Sequence, residues 1–98
     1  MTDKFKTVFN TLLVEGYDLL AVKVNNPHRH YILSNERTMC VVTITEDDIL
    51  EVSLCLDKDV TNKSFASERN VTVRNAEDVI AACELIHQFE NWCDKNKH

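Results

Sequence analysis

Apolar residues in the last quarter of the chain recur at helical spacing and predict a long helix over residues 75–95. They occupy more than half of the helix circumference, at Val79, Ile80, Ala82, Cys83, Leu85, Ile86, Phe89, Trp92 and Cys93. A helix on the surface of a small domain usually needs an apolar stripe only about 100° wide. The wider stripe therefore predicts a helix covered on two sides, by a sheet and by a second element.

A narrower apolar stripe predicts another helix at the start of the chain. Its apolar positions are Phe5, Val8, Phe9, Leu12 and Leu13. Thr2 or Asp3 can cap this helix, and Gly16 can end it in a left-handed turn. The pattern is typical of an amphipathic helix that lies on a core.

Between the helices the apolar period falls to two, which predicts β-strands. The predicted strands cover residues 17–24, 30–34, 39–45, 49–56 and 70–74. Short turns separate most of them and imply antiparallel neighbours. Residues 57–69 form the one long polar stretch, which we predict as a loop or a short strand. We expect exposed sheet edges around residues 30–34 or 70–74.

These elements predict a single α+β domain over residues 1–98. The expected architecture is an antiparallel meander sheet of four or five strands, with an N-terminal and a C-terminal helix packed on one face. A hydrophobic share of 44% in 98 residues is enough for one core. One Gly and one Pro leave little room for long irregular loops or a glycine-rich phosphate-binding loop.

The charge balance narrows the classes of partner. The net charge is -5, and the eleven Lys and Arg residues are scattered. Nucleic-acid binders normally carry a basic patch, so direct nucleic-acid binding is disfavoured. The chain has neither the apolar core of a signal peptide nor the roughly 20 apolar residues of a membrane helix. We therefore predict a cytoplasmic protein, in which the cysteines at positions 40, 55, 83 and 93 stay reduced.

Two histidines at a predicted turn, His28 and His30, are the clearest candidates for a metal site. A zinc site needs at least a third protein ligand, and only Glu36 or Cys40 lies within reach along the hairpin. We therefore predict no bound metal or other cofactor, and exposed turn histidines remain the simpler interpretation.

The loop from Asp57 to Glu68 partly matches a calcium-binding loop. Asp57, Asp59, Thr61 and Glu68 supply oxygen atoms at its first, third, fifth and twelfth positions. However, Asn62 stands where that loop needs glycine for its sharp turn. A solvated loop is the favoured interpretation.

A catalytic centre is not evident. Cys83 and His87 lie one helical turn apart, but no third group is placed to orient the histidine. The serines lie in no nucleophile-elbow pattern. We predict that the protein is not an enzyme.

The remaining features favour protein binding. Leu85, Phe89 and Trp92 are residue types that anchor interfaces, and either the first helix or a second subunit can cover them. The acidic residues predicted to meet a basic partner, such as a nucleic-acid-handling protein, are Glu46, Asp47, Asp48, Asp57 and Asp59. Surface acidity that serves solubility alone is the alternative.

Our leading hypothesis is a small acidic cytosolic protein that binds another protein and acts as a homodimer. In general shape it is similar to small α+β proteins that act as inhibitors, including phage-encoded ones, as antitoxins or immunity proteins, or as chaperone-like accessory proteins. That similarity is an analogy of fold alone. The alternative is a metal- or small-ligand-binding protein that uses the His28/His30 turn or the Asp57–Glu68 loop.

Overall fold

The computed structural model describes residues 3–95 and confirms the predicted α+β fold. The elements are, in chain order, α1 (Asp3–Val14), β1 (Asp18–Asn25), β2 (His28–Ser34), β3 (Thr38–Ile44), β4 (Leu50–Leu56), α2 (Asp57–Asn62), β5 (Arg69–Val73) and α3 (Ala76–Lys95). The strands form one sheet in the order β1-β2-β3-β4-β5, and every neighbouring pair is antiparallel. No helix among the described residues is long and apolar enough to cross a membrane.

The meander order places β1 and β5 at the two edges of the sheet. The predicted edge at residues 70–74 corresponds to β5. The other predicted edge, at residues 30–34, is wrong because β2 pairs with β1 on one side and with β3 on the other. The first strand of a meander is necessarily its edge, and that strand is β1.

Helix α1 forms and ends as its sequence predicts. Phe5, Val8 and Leu12 are buried along one stripe. At the end of the helix Gly16 adopts a φ of 90°, and its backbone N–H donates to the carbonyl of Leu13. Glycine reaches this left-handed conformation without steric cost, which explains why the helix stops there. Thr2, one of the two predicted caps, lies outside the described residues.

Helix α3 begins with a reciprocal pair of capping hydrogen bonds. The backbone N–H of Asp78 donates to Asn75 Oδ1 at 3.0 Å, and the backbone N–H of Arg74 donates to Asp78 Oδ2 at 2.9 Å. These bonds satisfy donors that a helix N-terminus leaves without intrahelical partners. Asn75 is therefore the N-cap of α3.

The first helix covers the second side of α3. Thr11 Oγ1 lies 3.2 Å from Cys83 Sγ, and Glu15 Oε1 lies 2.9 Å from His87 Nδ1. The buried residues of α3 are Val79, Ala82, Ile86, Phe89, Glu90 and Cys93. Of the two coverings considered for the wide apolar stripe, the structure shows the one supplied by α1.

The segment predicted as a loop or short strand begins instead with the short helix α2. Asp57 and Asp59 lie in its first turn, where negative charge is favoured, and Lys63 ends it at a φ of 57°. The backbone N–H of Ser67 donates to Asp59 Oδ2 at 2.9 Å. This bond fastens the following turn to the helix.

Candidate functional site

The most polar part of the interior is a cluster of side chains around the buried Glu90. Tyr17 donates from its hydroxyl to Glu90 Oε1 at 2.7 Å, and Asn35 Nδ2 donates to the same oxygen at 3.1 Å. Thr38 Oγ1 lies 2.6 Å from the Tyr17 hydroxyl oxygen, and Arg37 Nη2 lies 3.6 Å from Glu90 Oε2. Burial raises the pKa of the Tyr17 hydroxyl, so that group keeps its proton at neutral pH.

An open cleft of about 1050 Å³ lies over this cluster, at the end of the sheet where α3 finishes. Arg37 lines it and donates to Asp94 Oδ1 at 2.7 Å, and this bond raises the pKa of the guanidinium. Within residues 3–95 every buried side-chain oxygen and nitrogen has a hydrogen-bond partner. The cluster therefore holds α3 against the sheet, and its carboxylate is already in contact with four neighbours, since Thr38 Oγ1 also lies 3.1 Å from Glu90 Oε1.

The two candidate metal ligands lie together without a third ligand. His28 and His30 have ring centroids 6.5 Å apart, and His30 Nδ1 lies 3.0 Å from Thr43 Oγ1. Cys40 is buried on the opposite face of the sheet, and Glu36 lies in the turn beyond the other end of β2. In the described part of the chain, no three His, Cys, Asp or Glu side chains gather in a way that could hold a metal ion.

The calcium-like segment does not form a ring of oxygen ligands. Residues 57–62 are helical, so Asp57, Asp59 and Thr61 follow a helix rather than a binding loop. Thr61 donates from its hydroxyl to the carbonyl of Asp57, and the Asp59 carboxylate accepts from Ser67. The hydrogen bond with Ser67 lowers the pKa of Asp59.

Cys83 has a partner on α1, and His87 has one in the residue that follows α1. The thiol of Cys83 lies beside Thr11, and the ring of His87 lies beside Glu15. This arrangement links the two helices, and neither contact resembles the hydrogen bond of a thiol–imidazole dyad.

The acidic residues predicted as one patch lie at two ends of β4. Glu46, Asp47 and Asp48 are in the turn before the strand, whereas Asp57 and Asp59 follow it. A strand of seven residues is about 23 Å long, so the two acidic groups lie well apart on the surface. Asp48 pairs with Lys4 Nζ at 3.5 Å, and Asp59 is buried. A basic partner stays a prediction.

The predicted anchors on α3 are mostly covered. Phe89 is buried, Leu85 is half-buried against the core, and Trp92 is 37% exposed. Trp92 stacks on Phe89 at 5.7 Å, and the Arg69 guanidinium lies 5.8 Å from the Trp92 ring centroid. These contacts fasten Trp92 to the domain, which leaves little of the predicted interface on α3 for a partner.

Exposed aliphatic side chains are instead concentrated near the start of the chain. Nine large hydrophobic residues are exposed among residues 3–95, and six of them fall within residues 13–24. We call these six the β1 surface: Leu13, Val14, Leu19, Leu20, Val22 and Val24. Sequence reasoning missed this surface, although five of the eight residues of β1 are apolar, a composition more typical of a buried strand.

Leu19, Val22 and Val24, which the register places on the helix side of β1, are exposed because two helices cannot cover five strands. A helix is about 10 Å wide, whereas neighbouring strands are about 4.8 Å apart, so α1 and α3 span about four strands. Helix α3 packs mainly on β5, and Phe5 of α1 packs on Tyr31 of β2 at 4.5 Å between ring centroids. The helix-side face of β1 is the part left over.

A β-bulge changes the alternation of side chains along β1. Leu19 pairs with Leu33, but Ala21 pairs with Ile32, so Leu20 is an extra residue between them. Val22 pairs with Tyr31 and shares the helix-side face with Leu19, although they are three residues apart. The bulge therefore gives β1 a spacing that a regular strand does not have.

The opposite face of the sheet carries a smaller apolar hollow. Its volume is about 270 Å³, and it is lined mainly by Ile32, Met39, Val41, Cys55, Val60 and Phe65. Burial raises the pKa of the Cys55 thiol, which lowers its reactivity at neutral pH.

No protein-family model, no curated protein and no solved structure matches this chain. Its function is therefore inferred below from the geometry of the molecule itself.

Proposed function

We propose that the protein works by binding another polypeptide through the β1 surface. The observation that carries this proposal is the concentration of six exposed aliphatic side chains within residues 13–24, whereas the rest of residues 3–95 exposes three large hydrophobic side chains that are scattered along the chain. A concentration of exposed apolar side chains usually marks an interaction site.

The position of β1 at the sheet edge supports the same proposal. β1 pairs with β2 on one side, and no strand of residues 3–95 pairs with its other side. An edge strand presents backbone N–H and C=O groups that can pair with an added strand. Backbone hydrogen bonds and burial of the aliphatic side chains would then act together.

The polar features give less support to catalysis or to metal binding. The Glu90 carboxylate is engaged by protein partners, and His28 and His30 have no third ligand beside them. The contacts of Glu90 and the missing third ligand are both stated for residues 3–95, which the structure describes. The protein-binding hypothesis therefore has the better physical support, although its surface is β1 rather than the predicted face of α3.

The test places a charge on the β1 surface and compares it with the same change elsewhere. Leu20 and Val24 are 60% and 62% exposed, and Ile80 on α3 is 61% exposed. Leu20→Lys/Val24→Lys should weaken binding at least about tenfold, because the interface would have to bury two charges. Ile80→Lys, matched in exposure, should leave binding unchanged. All the variants should keep the far-ultraviolet circular dichroism spectrum of the folded wild type, because the changed residues are exposed.

The measurement uses tagged wild type, double variant and control in an extract of the source cells, which also contains the untagged chain. Polypeptides retained by wild type and by Ile80→Lys, but lost with Leu20→Lys/Val24→Lys, are then purified and their dissociation constants measured. Equal retention by all three proteins, or no retained polypeptide at all, would contradict the proposal.

A further inference from the structure

We infer that the polypeptide bound at the β1 surface is a second copy of this chain, with the two β1 strands paired antiparallel about a two-fold axis. The inference rests on the proposed function and names its partner. It places Leu19 of one copy opposite Val22 of the other, and joins the two sheets into one of ten strands.

The bulge in β1 is the first argument for a second copy. Leu19 and Val22 share the helix-side face with two residues between them. A regular strand such as β2 pairs with both residues only by leaving Leu20 without a counterpart. A second, antiparallel β1 has the same irregular spacing. Leu19 of each copy then faces Val22 of the other, and no residue is left without a counterpart between these pairs.

The charges of β1 are the second argument. Asp18 pairs with Ser34 and Lys23 pairs with His30, which places both charged residues on the face of the sheet opposite the helices. These are the two charged residues of β1. In the pairing that joins Leu19 to Val22, Asp18 of one copy lies opposite Lys23 of the other. The two-fold axis makes this ion pair twice, and opposite charges at facing positions stabilise a pair of strands.

The wider surroundings of β1 have the same polarity. Glu15 and Asp18 lie at the beginning of the strand, whereas Lys23 and Arg29 lie at its other end. An antiparallel copy places the acidic end of one protomer on the basic end of its partner. The net charge of -5 on each copy opposes approach. At physiological ionic strength, however, the screening length is only about 8 Å, so the local pattern dominates at contact.

The same pairing keeps both pairs of helices on one face of the joined sheet. Facing residues in antiparallel strands point to the same side, and Leu19 and Val22 both lie on the helix side. The uncovered helix-side faces of the two β1 strands thus become one apolar strip, flanked by α1 of each protomer. The aliphatic side chains of each copy then pack against those of the other.

Disulfide trapping tests this register directly. Equimolar Leu19→Cys and Val22→Cys proteins, mixed under a mild oxidant, should give a cross-linked dimer within minutes. Each variant alone should give only the background of the wild type, because its new thiols face native aliphatic residues. The mixture of Leu19→Cys with Val24→Cys is the matched control, since Val24 shares the same face but lies one step out of register.

Exchange of the two charges tests the ion pairs. Asp18→Lys alone and Lys23→Asp alone should each raise the dimer dissociation constant about tenfold, because like charges then face each other twice. The double variant Asp18→Lys/Lys23→Asp should return it to within about threefold of wild type. The single changes move the net charge in opposite directions, so an effect of net charge alone would have opposite signs. Sedimentation equilibrium measures all four constants.

A wild-type protein that remains a monomer at its solubility limit would overturn the inference. Cross-linking in the Val24 mixture rather than the Val22 mixture would also overturn it. The proposed function fails separately, when Leu20→Lys/Val24→Lys retains everything that wild type binds. The wild type could instead be a monomer that binds a different protein, with that binding lost in Leu20→Lys/Val24→Lys. This result would reject the second copy as the partner and would keep the β1 surface as the binding site.

Discussion

Glu90 is the residue on which the buried polar cluster depends. It is 6% exposed, and its carboxylate accepts hydrogen bonds from Tyr17 and Asn35 while Arg37 lies beside it. Glu90→Ala would leave the hydroxyl and the amide buried without that acceptor. We expect the free energy of unfolding to fall by about 2–4 kcal/mol, measured by urea denaturation at neutral pH.

The neighbouring carboxylate supplies the control for this change. The side chain of Asp94 is 67% exposed, although it makes the shorter contact with Arg37, at 2.7 Å. Asp94→Ala should cost no more than about 1 kcal/mol, because water replaces an exposed partner. Equal losses in the two variants would show that the distance to Arg37, rather than burial, determines the contribution of each carboxylate.

The burial of Glu90 illustrates how far sequence reasoning reaches at the residue scale. Its position one turn after Ile86 and three residues before Cys93 places it within the apolar stripe of α3, which is a visible signal. Its partners Tyr17 and Asn35 lie 73 and 55 residues away along the chain. Local periodicity contains no information on contacts at such separations, so the cluster itself was not predictable.

At the scale of elements, α2 depends on a bond between its first turn and the segment that follows. The hydrogen bond with Ser67 lowers the pKa of Asp59, so the carboxylate contributes stability above the ordinary pKa of an aspartate. That contribution is lost as the pH falls through the lowered pKa that Asp59 has in the folded protein. Asp59→Asn should reduce the urea midpoint at pH 7, and the difference from wild type should vanish as the pH falls from about 5 to about 2.

Asp57 provides the matched control for this pH dependence. It lies in the same first turn but is exposed, so Asp57→Asn should change the midpoint little at any pH. Urea titrations at several pH values compare the three proteins. A difference between Asp59→Asn and wild type that stays constant down to pH 2 would show that the carboxylate charge is not the cause.

The long elements were predictable and the short, irregular ones were not. Helices α1 and α3 are 12 and 20 residues long, and each has an apolar stripe. In β4 apolar and polar residues alternate, so periodicity identified all three elements. Helix α2 has only 6 residues, which is less than two turns and too few for a period to show. The bulge at Leu20 was missed because its signal is the pairing with β2, not the composition of β1.

At the scale of the molecule, the β1 surface follows from the number of helices and strands. Two helices on five strands leave one strand partly uncovered, and the meander order determines that this strand is at an edge. Both premises were available from the sequence. What the sequence did not provide was the placement of α1 and α3 toward β5, because this depends on side-chain packing between elements far apart in the chain.

The four thiols offer a test of whether this molecule unfolds as one unit. Cys40 lies at the centre of the sheet and Cys93 on α3, and both are buried, whereas Cys55 and Cys83 are half-buried. Burial raises the pKa of the Cys40 thiol, and it raises that of Cys93 to about 11, so both stay protonated at neutral pH. In a single cooperative core they should react only when the whole domain opens.

Alkylation with iodoacetamide, followed residue by residue by mass spectrometry, measures these reactivities against the denatured chain. We expect Cys55 and Cys83 to react first. Cys40 should react at the rate set by global unfolding and should accelerate with urea as strongly as global unfolding does. Cys93 should follow Cys40, because the Glu90 cluster fastens its helix to the sheet. Rapid alkylation of Cys93 while Cys40 stays protected would show instead that the end of α3 opens independently, and Glu90→Ala would then be expected to accelerate only Cys93.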